Sequence, residues 1–167
     1  RAFVDDVTGA YNARYLFTAL DHEIRRAERY GTQLALMFLD IDRFKLVNDQ
    51  HGHLVGSRTL RRLAEVLGQC IRQVDTLARY GGDEFTILLV DTSLESGIQI
   101  AERIRAAVAR ANFETRGSGS LQVTVSVGVA AFPMHGRGAE GLIAMADKAM
   151  YRSKSLGRDR VCSATEL

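Results

Sequence analysis

Proline is nearly missing from this chain of 167 residues; the one proline, Pro133, rules out a proline-rich linker dividing it. Cysteine is almost as scarce. Cys70 and Cys162 lie far apart with no C-x-x-C pattern, which excludes a disulfide framework and a cysteine-based zinc site. The expectation is a reduced, cytoplasmic protein. Long apolar runs are missing too: "LALMFL" and "FTILLV" are far too short to span a bilayer, and no signal-peptide pattern is visible. No membrane association is expected of this fragment. Charge of one sign is not in excess. A net charge of +2 argues against broad binding to a nucleic-acid polymer.

What is present is an ordinary globular balance, 46% hydrophobic and 25% charged. The length suits one domain spanning 1–167, able to bury about 70% of its unfolded surface. A chain that opens on Arg1 rather than Met is expected to be a piece of something longer.

Helical and strand-like patterns alternate. "ARYLFTALDHEIRRAERYG" places Leu16, Leu20, Ile24 and Ala27 at helical spacing, with Gly31 as a stop. "QLALMFLDID" reads as a buried strand ending in acids. "SRTLRRLAEVLGQCIRQV" returns to helical periodicity. "TLARY" and "EFTILLV" flank Gly81-Gly82 as two strands, and "SLESGIQIAERIRAAVARA" is an amphipathic helix. In "LQVTVSVGVAAF", Leu121, Val123, Val125, Val127 and Val129 share one face of a single expected strand, with Gln122, Thr124, Ser126 and Gly128 on the other. "LIAMADKAMYRSKSLG" is a last helix with Gly157 as its stop. The tail after Arg160 carries little signal. The order αβαββαβα implies an α/β (α+β) fold, a mixed sheet with helices packed on it.

The sharpest chemistry lies in "RYGGDEF". Gly81-Gly82 between two strands fits a two-residue hairpin whose turn needs positive φ, which puts Asp83 and Glu84 at its mouth. "FLDIDRFKLVND" places Asp40 and Asp42 at the end of a strand apolar enough to be central. If the hairpin is that strand's neighbour, Asp40 and Asp83 converge. Converging carboxylates repel, and a hard divalent cation such as Mg²⁺ resolves this while sharing its ligands with phosphates. The competing reading is an acid-rich loop balanced by Arg43, Lys45 and Arg79. Backbone N–H groups of Arg43, Phe44 and Lys45, entering a helix, can meet anions. Lys154 and Arg158 are four apart, so on a helix they share a face. Acids for a metal plus bases for phosphate suggest metal-assisted phosphoryl or nucleotidyl transfer. His51 and His53 lack metal-binding partners and read as loop or capping residues.

Arg79 to Phe85 resembles the signature of the GGDEF family of bacterial diguanylate cyclases. "DDVTGAYN" resembles the family's D-x-L-T-G-L-x-N opening, with Val7 and Ala10 in place of leucine. "DIDRFKLVNDQHGHLVG", "VTVSVGVA" and "ADKAMYRSKSLGRDRV" match further segments, so the likeness runs from Asp5 to Val161. It implies a palm-like, mostly antiparallel central sheet wrapped by helices, as the output domain of a longer signalling protein. It implies condensation of two GTP into cyclic di-GMP with release of two pyrophosphates. Asp40, Asp83 and the Ile41 carbonyl would hold Mg²⁺, two ions with Mn²⁺ as a substitute. Glu84 would aid the metal or activate the 3′-hydroxyl. Gly81 and Gly82 would admit the nucleotide, Phe44, Lys45, Lys154 and Arg158 would meet the phosphates, and Asn48 the base. Ring closure from two half-sites implies a catalytic homodimer.

The likeness also marks "RQVD" as a product-binding inhibitory site: Arg72 and Asp75 would take cyclic di-GMP, supported by Arg103. Read from the residues alone, the same pair is a surface salt bridge at a helix end. One departure stands out. The family reads G-H-x-x-G-D where this chain has "GHLVGS". Serine both donates and accepts, whereas the aspartate is an acceptor that suits guanine N1–H and N2–H₂. Ser57 therefore resembles the subset that uses ATP as well as GTP and makes hybrid 3′,3′-cyclic GMP-AMP; a neutral substitution, with Asn48 sufficient for guanine, is the other reading. The alternative to an enzyme is a noncatalytic receptor that binds cyclic di-GMP through Arg72 and Asp75.

Overall fold

Leu34–Ile41 (β2) is buried at every position, on both faces, in the computed structural model, which describes residues 2–115, 117 and 119–167. A strand without a wet face must lie between two layers. β2 sits within a six-stranded sheet, between Glu84–Leu89 (β4) and Val125–Phe132 (β7), both antiparallel to it. Thr76–Gly81 (β3) extends the sheet beyond β4, and the short Tyr11–Asn12 (β1) adds to β3 in parallel. This is the expected mixed, mostly antiparallel sheet.

Side-chain parity assigns each face its helices. Ala35, Met37, Leu39 and Ile41 meet His53–Gln69 (α3) and Leu94–Arg110 (α4) through Leu63, Leu67, Ala101 and Ile104. Leu34, Leu36 and Phe38 meet Ala13–Tyr30 (α1) and Ala139–Ser155 (α5) through Leu16, Leu20, Leu142 and Ala146. The α1 face is the one its periodicity predicts: Leu16, Leu20, Ile24 and Ala27 are all buried, the Asn12 side chain caps the N-terminus, and Gly31 ends the helix at φ 67°. α5 lies so close to β7 that a Cβ on Gly128 would fall 2.1 Å from the Ala146 carbonyl oxygen. Glycine at this position sets the depth of the helix and the reach of its last turn.

Three expectations need correction. The strand expected over 121–132 is broken. Ser120–Leu121 (β6) pairs with Phe113–Glu114 (β5) in a separate ribbon, and β7 begins only at Val125. Its polar face is not solvated: Ser126 and Gly128 face α5. The helix expected from Ser57 starts at His53 and ends at Gln69, preceded by a separate helix, Phe44–His51 (α2), whose one buried apolar residue, Val47, gave no periodicity to detect. His51 closes α2 and His53 opens α3. The tail is not featureless, since Arg160–Ser163 (β8) pairs in parallel with β7, followed by a 3₁₀ turn at Ala164–Glu166. Among the described residues no helix is long and apolar enough to cross a membrane.

Candidate active site

The register of the sheet brings the acids together. β2 and β4 pair so that Asp40 lies opposite Glu84, next to the buried Leu39–Phe85 pair. Gly81 already pairs with Glu84, so the two turn residues are Gly82 and Asp83 rather than the two glycines. Gly82 carries the positive φ, 47°, and the ladder is irregular between Arg79 and Gly81. Arg79 braces this turn: its Nε donates to the Gly82 carbonyl at 2.9 Å and its Nη1 to Asp5 at 3.1 Å. Asp5 in turn accepts from the Thr8 N–H and hydroxyl. Burial works against its charge, yet Thr8 and Arg79 hold its carboxyl below the ordinary carboxylate value. The "DDVTG" opening thus supports the hairpin.

Asp40 shares the parity of Leu36 and Phe38, so it points toward α5, where Lys154 Nζ bonds its Oδ2. Its Oδ1 is buried without a hydrogen-bond partner. Burial pushes the Asp40 carboxyl up to about 6; Lys154 opposes this, and Asp83 and Asp42 add to it. Asp83 and Glu84 are likewise raised by burial, and Glu84 further by Asp147 and Asp83. Asp147, two turns before Lys154 on α5, is raised by burial and leaves its Oδ1 buried and unpartnered. Sequence reading missed it, although the i, i+7 spacing to Lys154 was a signal. Acids gathered around one ammonium, each raised by desolvation, make a site short of positive charge.

Among the described residues no group of three or more His, Cys, Asp or Glu side chains is arranged to hold a metal ion. The donors at this end of the sheet are two carboxylates, Asp40 and Asp83, beside the backbone at Ile41. That set fits Mg²⁺, which keeps waters and takes phosphate oxygens to complete its octahedron. The orphaned Asp40 Oδ1 is the atom such an ion would satisfy. Asp42 does not belong to this set. Its Oδ1 accepts from Ser126 Oγ at 2.6 Å, and its Oδ2 from Thr124 Oγ1 and the Asp159 N–H.

The residues expected at phosphate and base take varied positions. α2 opens at Arg43, in the left-handed region at φ 57° and without a side-chain cap, which leaves the first N–H groups at Phe44 and Lys45 without a side-chain acceptor. Lys45 is exposed, 3.6 Å from Asp49. Asn48 packs against α3, where a Cβ on Gly56 would lie 1.9 Å from its Oδ1 and 3.3 Å from the Phe44 ring. The exposed Ser57 follows Gly56. Arg158 is not on the helix: α5 stops at Ser155, and Arg158 stands in the following loop at φ 66°. Lys154 and Arg158 therefore do not share a helical face.

Arg72 and Asp75 stand at the other end of β3, about 20 Å from the glycines at the strand rise per residue. Asp75 is buried, with 1% of its side chain exposed, and saturated. Arg72 N–H and Nε donate to its Oδ2; Arg72 Nη2 and the Val90 N–H donate to its Oδ1. The ion pair is thus a surface one on the Arg72 side, whose side chain is 52% exposed, and buried on the Asp75 side. The pair lines a hollow of about 570 Å³ with Gly9, Ala10, Tyr11 and Gly68. Arg103, exposed on α4, lies near Cys70 at the end of α3 and acts against the rise of its thiol.

Comparison with known proteins places this arrangement. Residues 2–160 match the family described as diguanylate cyclase, GGDEF domain. The chain is 44% identical over 161 residues to diguanylate cyclase DgcP of Pseudomonas aeruginosa, covering 96% of this chain and 24% of that protein. It is 39% identical to response regulator PleD of Caulobacter vibrioides, covering 96% and 36%. It thus spans about a quarter to a third of these curated relatives. Its fold superposes on the GGDEF domain of YfiN (TpbB) from Pseudomonas aeruginosa with TM-score 0.93 at 32% identity, covering 96% of this chain and 94% of that one. The GGDEF domain of DgcB from Caulobacter crescentus, solved in complex with c-di-GMP, gives 0.91 at 34% identity over 98% and 94%. The mostly antiparallel sheet agrees with these matches: the chain belongs to the GGDEF-domain family of diguanylate cyclases.

Proposed function

We propose that this domain condenses two GTP molecules into cyclic di-GMP, working as a homodimer. The observation that carries the reading is the buried Asp40 carboxylate, with one oxygen on Lys154 and the other without a partner, at the strand end facing the Gly-Gly hairpin. Asp40 and Asp83 would hold Mg²⁺, one ion or two, with Mn²⁺ able to replace it. When bound, the ion supplies charge to the triphosphate and lowers the pKa of the attacking hydroxyl. Lys154 holds Asp40 and stands ready to move onto a phosphate oxygen. Lys45 and Arg158 bring charge from two other elements. Glu84, raised by burial and by neighbouring acids, would take the 3′-hydroxyl proton. Pyrophosphate leaves as the hydroxyl oxygen bonds to the α-phosphorus of the facing nucleotide. Gly81 leaves open space, since no atom of the described residues beyond its own chain neighbours lies within 4 Å of an added Cβ. A nucleotide can lie there against the backbone.

Base choice rests on Asn48 and Ser57. With serine in place of an acceptor-only carboxylate, the site accepts adenine as well as guanine, and the product set includes cyclic GMP-AMP. Arg72 and Asp75 take cyclic di-GMP as a feedback ligand, with Arg103 in support. The Asp75 carboxylate must then exchange some of its four internal hydrogen bonds for guanine N–H donors.

The test is incubation with Mg²⁺ and equimolar GTP and ATP, with products separated by mass. Cyclic di-GMP together with cyclic GMP-AMP is expected, with Ser57→Asp removing the hybrid and Asp40→Asn removing both. No cyclic dinucleotide from the unaltered domain, with cyclic di-GMP still bound, would replace the enzyme by a receptor. Cyclic di-GMP alone, unchanged by Ser57→Asp, would end the hybrid reading.

A further inference from the structure

The loop after α5 is held more firmly than a connection needs. Gly157, Arg158 and Asp159 have φ of 119°, 66° and 46°, so two successive residues with side chains sit in the left-handed region. Each backbone group around Arg158 is tied. Its N–H donates to the Ser153 carbonyl at 3.0 Å, its carbonyl accepts from Arg160 Nε at 3.0 Å, and the next N–H, of Asp159, donates to Asp42 Oδ2 at 3.0 Å. Asp42 is itself fixed to β7 through Ser126 and Thr124. From the opposite side, Arg105 on α4 reaches over to Asp159 Oδ1 at 2.8 Å while also holding Glu102. The Arg158 guanidinium, in contrast, makes no hydrogen bond or ion pair among the described residues. A strained, fully anchored backbone thus presents an uncommitted cation.

We propose that Asp42 and Arg105 are positioning residues that bracket Asp159, so that Arg158 faces the triphosphate in a fixed geometry. The inference rests on the reading of Arg158 as a phosphate ligand. It gives the second acid of "DID" a purpose apart from the metal: Asp40 and Asp42 organise, from one strand end, the cation site and the phosphate arm. It also gives α4, which contributes nothing else to the site, a part in substrate binding.

The test measures the dissociation constant of a non-hydrolysable GTP analogue with Mg²⁺, alongside the melting temperature. Arg105→Ala is expected to weaken binding about 3- to 10-fold, the worth of one positioning hydrogen bond. In an Arg158→Ala background the same substitution is expected to change nothing further, because the group it positions is gone. Asp159→Gly separates positioning from folding. Glycine accepts φ 46° without strain, so stability is kept or raised while binding weakens as for Arg105→Ala. Equal losses from Arg105→Ala with and without Arg158, or Asp159→Gly binding as tightly as the unaltered chain, would overturn the bracket. Arg158→Ala binding the analogue normally would instead overturn the phosphate reading beneath it.

Discussion

The two glycines of the hairpin differ in what each must do, although the sequence presents them as a pair. Gly82 has φ 47°, where a side chain costs about 1–2 kcal/mol. Gly81 has neither a positive φ nor a neighbour for an added Cβ. Gly82→Ala is therefore expected to lower the melting temperature by a few degrees, since about 1 kcal/mol moves a domain of this size by roughly 2–4 °C. Gly81→Ala should leave melting unchanged and abolish product formation, because its methyl fills the space assigned to nucleotide. Calorimetry and a product assay on both variants check this; a fully active Gly81→Ala would refute the nucleotide's place against that backbone. Arg72 poses a related question. Asp75 depends on it for most of its hydrogen bonds, so Arg72→Ala is expected both to weaken cyclic di-GMP binding and to destabilise the fold by about 1–3 kcal/mol. The Arg72 N–H and Val90 N–H remain on the carboxylate, which limits the loss. Titration with cyclic di-GMP well below the melting point separates the two effects. Unchanged affinity there would remove the pair from the product site.

At the scale of elements, the close of the chain shows how one side chain ties segments together. His135, after β7, accepts the Ala131 N–H on Nδ1, and its Nε2 lies 2.9 Å from Thr165 Oγ1 in the 3₁₀ turn. An Nδ1 that accepts must be unprotonated, so the bridge needs neutral imidazole. Burial also depresses its pKa below 6.5. A histidine with a lowered folded-state pKa contributes stability that is present above the unfolded value of 6.5 and lost as pH falls through the folded one. Thermal melting from pH 7.5 to 5 should therefore show a fall that His135→Gln flattens. An identical pH profile in the variant would show the bridge to be energetically idle. The same scale accounts for Gly128. β7 and α5 approach so closely there that alanine would collide with helix backbone. The reach of Lys154 to Asp40 depends on that approach.

The whole molecule carries its acids at one end of the sheet and its Arg72–Asp75 pair at the other, joined by β3. On the proposed function, a single such face would hold one nucleotide. Closing a ring from two nucleotides needs a second copy facing it, so turnover per chain is expected to fall with dilution through the micromolar range. Turnover per chain that stays constant far below that range would count against the homodimer. The fold class was legible because the patterns were strong. The α1 stripe, the apolar run of β2 and the paired β3 and β4 strands require nothing beyond periodicity. β1 and β8 were not legible, since short elements held by a few backbone bonds leave no pattern; of α2 only the entry at Arg43 to Lys45 was legible, not its end. The acids were legible as a group, but not which of them are spent: Asp40 and Asp42 look alike in sequence, and only one keeps a buried oxygen without a partner.

By itself the sequence determined the layers and the family: periodicity dictates which face each element buries, and the run of motifs from Asp5 to Val161 leaves little freedom in what they build. Only the tertiary structure decided the division of labour among the charges. It put the turn at Gly82-Asp83, took Arg158 off the helix, buried Asp75 under four hydrogen bonds and tied Asp42 to the backbone of the loop after α5. The physical reason is that a carboxylate's role depends on which donors reach it, and those donors come from elements distant in the chain.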